Sequence, residues 1–176
     1  MSFLFLAIQA VIMIFQLRSL LQSSNVDYYH PMTQSIIKLT DKSLKILPKR
    51  NIYLGPISMD GFIFSLVFCA LSWIVLFFIF GFSMRDMVML GLTMYIKSLG
   101  YLIIALLLAQ ALTSWLPSTR ALSFYFGQIT AIITAPVQKI IPPIGMIDIS
   151  LMVVLIAIFA LNRLCASIFG LYWFAF

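Results

Sequence analysis

Apolar side chains run almost unbroken through residues 3–21, 61–81, 87–116 and 149–173, and polar clusters separate these runs. About 20 apolar residues suffice for a helix to cross the hydrocarbon core of a bilayer, so the pattern predicts four spanning helices. Gln9, Gln16 and Arg18 are the strongly polar positions of the first run. Arg18 lies near its end, where a long stem carries the charge to the interface as an orientation anchor. The alternative is a buried arginine that holds a partner. The third run exceeds a minimal span and contains Lys97. It suits either one tilted helix or an interfacial turn leading into a shorter span. The fourth carries Asn162 and Arg163 in its distal part, followed by Tyr172 and Trp173, residues expected at the far interface.

The first connection has its own periodicity. Pro31 suits a first helical turn. Around a helix, residues 32–47 gather Met32, Ile36, Ile37, Leu39, Leu44, Ile46 and Leu47 on one side, with Gln34, Lys38, Asp41, Lys42 and Lys45 on the other. A two-faced segment too short to span predicts a helix lying in the membrane interface. Pro48 is expected to end it, and Lys49 and Arg50 add positive charge beyond its C-terminus. Gly55-Pro56 then forms an elbow, and Ser58 and Asp60 stand where the N-cap of the second span is expected.

This arrangement recurs. Placing Gly55 on Gly145, an offset of 90 residues, also aligns Thr40 with Thr130, Lys49 with Lys139 and Ile57 with Ile147. The expected fold is therefore an all-α membrane protein of two parallel repeats, residues 1–83 and 84–176. Each repeat has a span, an interfacial amphipathic helix, a Pro/Gly elbow and a second span. In the second copy Pro142, Gly145 and Asp148 supply the elbow and cap. Lys38, Asp41, Lys42 and Lys45 become Gln128, Ala131, Ile132 and Ala135, so the charged face is lost. The second interfacial helix is accordingly expected to sit deeper or to pack against protein, and Pro136 to end it early.

Composition agrees with a membrane protein. Apolar residues make up 63% and charged residues 9% of the 176, against about 45–50% and 25% in soluble domains. The formal charge of +6 sits mostly in the first and third connections, which hold Lys38, Lys42, Lys45, Lys49, Arg50, Arg120 and Lys139. Such a distribution speaks for anionic head groups and not nucleic acid, and the positive-inside rule places both repeated motifs in the cytoplasm and both chain ends outside. Residues 2–21 read as a retained span, lacking the basic start and small-residue cleavage site of a signal peptide.

The segments LRSLLQSSNVDYYHPMTQSIIKLTDKSLKILPKR, followed by GPI, and TAPVQKIIPPIGMIDIS resemble the two tandem motifs of the YggT family, small bacterial inner-membrane proteins with relatives in cyanobacteria and plastids. The resemblance covers nearly the whole chain. The family's Asn-Pro turn is matched by His30-Pro31, and its Gly-x-Ile-Asp is intact as Gly145-Met146-Ile147-Asp148. Its paired arginines are reduced to Gln138-Lys139 and shifted to Lys49-Arg50, and its first acidic position is Ser58, with Asp60 two residues on. The resemblance implies a multi-pass inner-membrane protein. It also implies competing roles: osmotic or salt-stress tolerance, organisation at division sites and nucleoids, or assembly of a cytochrome complex.

Catalytic chemistry finds little footing. The acidic residues are Asp27, Asp41, Asp60, Asp86 and Asp148, and acid–base catalysis needs two groups converging on a substrate. Asp60 and Asp148 share a repeat position, where helix caps are the simpler reading. One histidine, His30, cannot build a metal site alone, and Cys69 and Cys165 read as small apolar residues. No catalytic residue, metal or cofactor is therefore assigned. Lys97, Asn162 and Arg163 either reach the outer interface or offer polar contacts to a partner or ion path. The expected role is a non-enzymatic scaffold or assembly factor. Its contacts would be phospholipid, another membrane protein or a second copy, with a small transport component as the alternative.

Overall fold

In the computed structural model the described residues are 2–24, 26–45, 52–81, 83–141 and 149–175. They form α1 (Ser2–Ser23), α2 (Pro31–Leu44), a hairpin of β1 (Tyr53–Leu54) and β2 (Ile57–Ser58), α3 (Asp60–Phe80), α4 (Met84–Trp115), α5 (Arg120–Gln138) and α6 (Ile149–Phe169). Short 3-10 turns occupy Pro117–Thr119 and Gly170–Phe174. Four stretches are long and apolar enough to cross a membrane: Phe3–Ser23, Asp60–Phe80, Met84–Trp115 and Ile149–Phe174. The third run is thus one continuous helix. At about 1.5 Å per residue it is roughly 48 Å long, well beyond the roughly 30 Å hydrocarbon core.

Contacts along the helices give their directions. Ile12 shares a cluster with Met94, Gln16 meets Tyr95 and Ser98, and Leu20 and Leu21 pack with Leu102 and Leu106. Residue numbers rise together, so α1 and α4 run parallel. Against α3 they run oppositely: Ser19 meets Phe62, the Phe15 and Phe64 rings are 4.2 Å apart, and Phe5 stacks on Trp73. α6 descends along α4, with Leu151 and Val154 packed on Leu107 and Asn162 across a crevice from Lys97.

The three-helix centre is fastened by polar groups inside an apolar bundle. Fully buried Gln16 donates to the Tyr95 carbonyl at 3.3 Å and accepts from the Ser98 hydroxyl at 3.2 Å. The Tyr95 hydroxyl reaches across to the Phe62 carbonyl at 3.0 Å. Away from water each such group must find a protein partner, and these three helices supply one another's.

Three expectations are corrected. Ser58 and Asp60 do not cap α3, whose N-cap is Met59 without a side-chain bond. The amide of Phe62 instead donates to the Ser19 hydroxyl of α1 at 3.0 Å. This neighbour reaches it because Gly61 brings the two backbones together: a Cβ at Gly61 would collide with the Phe15 carbonyl oxygen. Pro136 does not end α5, which continues to Gln138. Pro136 lies in the last turn, where a missing N–H removes one bond, and the amide of Lys139 still donates to the Ala135 carbonyl at 3.2 Å. Trp173 is not an exposed interfacial anchor but is 4% exposed, because the turn after α6 folds it back into the bundle.

Candidate functional site

Two places gather the polar residues singled out in the sequence. The first is α2. Pro31 occupies its first turn, and His30 caps it, Nδ1 accepting from the Met32 amide at 3.4 Å. At about 100° per residue the helix divides into three sectors. Thr33, Ile37, Thr40 and Leu44 are buried. Met32 and Leu39 form an exposed apolar edge. Lys38, Lys42 and Lys45 are exposed on the remaining side, where Lys45 pairs with Asp41 at 3.4 Å. The last described turn closes on Lys45, so the expected continuation to residue 47, with Lys49 and Arg50, lies outside the described residues.

The buried sector of α2 packs on α1 and α3, and its first turn meets α5. The Thr33 and Tyr125 hydroxyls lie 3.0 Å apart, and the His30 ring stacks on Tyr125 at 4.1 Å between centroids. Burial pushes the Tyr125 phenol up while its bond to Thr33 pulls it down, the net shift being upward, so it stays neutral at physiological pH. α5 is also tied to α4, since Thr130 donates to Gln110 Oε1 at 2.6 Å. This helix therefore packs on protein, one of the two placements its lost charges suggested. Tyr125 was not legible as a site residue, because nothing local distinguishes it from other aromatics of α5.

The hairpin joins α2 to α3. Gly55, at φ +63°, provides the positive φ that the first central residue of a type II′ turn needs, and Pro56 fills the second. Ser58 is buried, its amide donating to the Ser23 hydroxyl at 2.8 Å and its hydroxyl to Gln22 Oε1 at 3.0 Å. Asp60 Oδ1 accepts from the Ile52 amide at 2.9 Å, closing the hairpin's mouth. Both residues thus bind the elbow to itself and to α1. Pro142, Gly145 and Asp148 lie outside the described residues.

The second place is a crevice between α4 and α6 of about 450 Å³. Lys97 is 7% exposed, and its ammonium lies 5.3 Å from the centre of the Trp173 ring, a cation–π distance. Trp173 donates from Nε1 to Asn162 Oδ1 at 2.9 Å and stacks on Phe169. The Tyr172 hydroxyl donates to Asp86 Oδ1 at 2.7 Å. Gly170, at φ +57°, allows the reversal that brings these groups back. Lys97 and Asn162 are therefore brought together, whereas Arg163 is exposed on another side of α6. Arg18, read first as an interfacial anchor, is buried at 8% exposure. Among the described residues, no three of His, Cys, Asp and Glu converge as a metal site.

Four long apolar helices fastened by internal polar bonds define a multi-pass α-helical membrane protein. The sequence profile of the CCB3/YggT family matches residues 89–174. An uncharacterized Vibrio alginolyticus protein, described by its position in the proC 3′ region, is 35% identical over 169 residues, covering 93% of this chain and 91% of that one. An uncharacterized Haemophilus influenzae protein is 31% identical over 158 residues, covering 89% and 86%. The uncharacterized protein YggT of Escherichia coli strain K12 is 26% identical over 162 residues, covering 92% and 86%. The chain belongs to the CCB3/YggT family. No solved structure matches it.

Proposed function

We propose that the protein is a non-enzymatic scaffold or assembly factor of the bacterial inner membrane, with α2 in the cytoplasmic interface. The observation that carries this reading is the division of α2 into three sectors. One sector is held by protein, the next is apolar and exposed, and the third presents Lys38, Lys42 and Lys45. A helix seated between protein, acyl chains and head groups needs these three surfaces, and each lysine near an anionic surface contributes about 1 kcal/mol. The family profile spans one unit of span, interfacial helix and span, α4 to α6.

Two measurements test it. In nanodiscs of phosphatidylglycerol, acylation of Lys38, Lys42 and Lys45 by a water-soluble reagent should be slower than in phosphatidylcholine, and equal rates would remove the head-group contact. Affinity isolation in mild detergent should recover a defined membrane complex, while proteoliposomes of the pure protein show no ion flux. Reproducible flux, abolished by changing Lys97 or Arg163, would replace this reading with transport.

A further inference from the structure

We propose that the crevice between α4 and α6 binds one anionic phospholipid, its phosphodiester at Lys97 and Asn162 and an acyl chain along Ile103, Ile104 and Ile158. The site is separate from α2, and the proposal stands or falls independently of the scaffold reading.

The chemistry of the walls selects the ligand. Lys97 is the one charged side chain among the described lining residues. Asn162 Oδ1 is engaged by Trp173, so its amide contributes two N–H donors beside that bond. An ammonium and amide donors at one end suit phosphate oxygens, and the isoleucines at the other suit hydrocarbon. A charge on a spanning helix is costly and characteristically faces an interior, a cavity or a partner. Asn162 stands seven residues, about 10 Å, before the end of α6, so the polar end of the crevice is the one nearer that end of the span. The volume of about 450 Å³ falls within the roughly 300–1,000 Å³ of small-molecule sites.

Gly100 is a second, independent observation. It stands inside α4 and lines the crevice. Glycine within a helix costs about 1 kcal/mol relative to alanine, and conserving space for packing is the usual compensation. Here a Cβ would meet no described atom within 4 Å, and its φ is not positive. Neither the backbone nor a neighbouring protein group calls for glycine at this position. Its effect is to keep the crevice wide.

The test uses full-length protein reconstituted with phosphatidylglycerol carrying a photoactivatable acyl chain, with phosphatidylcholine as the comparison. Crosslinks are mapped by peptide mass spectrometry, and retained lipid is counted by native mass spectrometry. Wild type should hold one phosphatidylglycerol, crosslinked within residues 96–104 and 158–165. Lys97→Met should reduce retention about fivefold, the factor one basic group near a phosphate supplies, and Lys97→Arg should restore it. Gly100→Leu adds a side chain where a Cβ meets open space and should abolish these crosslinks while leaving thermal stability at least equal. Equal retention of phosphatidylcholine, crosslinks mapping elsewhere, or an unaltered pattern in Gly100→Leu would overturn the proposal.

Discussion

The hydroxyls of Thr33 and Tyr125 meet at 3.0 Å, joining α2 to α5 across 92 residues of sequence. Both groups are buried, and the His30 ring stacks on the tyrosine ring. Tyr125→Phe should destabilise the protein by about 0.5–1.5 kcal/mol, and Thr33→Val by a similar amount. The double variant should cost less than the two single changes together, because one bond is removed in both. Thermal unfolding in detergent measures this, and strict additivity would show that the hydroxyls act separately.

Gly61 is a point of close approach between α1 and α3. Adding one methyl group there drives it into the Phe15 carbonyl and within 2.8 Å of the Ser19 hydroxyl, whose bond to the Phe62 amide would break as the helices separate. Gly61→Ala should therefore cost about 1–3 kcal/mol, the range for overpacking, despite alanine's better helix propensity. A gain in melting temperature would refute the close contact.

Sidedness follows from the order of spans. In a background lacking Cys69 and Cys165, Lys42→Cys and Lys139→Cys should react with an impermeant thiol reagent from the same side of intact membranes. Ser83→Cys, in the connection between α3 and α4, should react from the other. Labelling of positions 42 and 139 from opposite sides would rule out parallel repeats.

The turn after α6 depends on Gly170 at φ +57°. An alanine in that left-handed conformation costs about 1–2 kcal/mol. Gly170→Ala should loosen the Trp173–Asn162 and Tyr172–Asp86 contacts, raising amide hydrogen exchange in residues 171–174. Exchange in α1 and α3 should remain at wild-type rates.

Long apolar runs made the four spans legible, since a backbone in hydrocarbon has no partner but its own helix. The separation of lysines from apolar residues likewise revealed α2, and the loss of those charges left α5 either deeper in the membrane or packed on protein. These are local properties, written in periodicity and length. What Ser58 and Asp60 do was not local: a cap is predicted from the residues beside a helix end, yet Ser19 on another helix filled that role. Gln16 and Lys97 were visible as polar interruptions, but Tyr95 and Ser98 lie 79 and 82 residues from Gln16 and Trp173 lies on a different element from Lys97, and no pattern of spacing identifies them. The sequence by itself determined which segments enter the membrane and which face of α2 carries charge, because transfer from water depends on side-chain composition. Only the tertiary structure decided which buried polar groups meet and where a crevice remains, because those depend on how closely two backbones approach: Gly61 lies against the Phe15 carbonyl, whereas Gly100 faces open space.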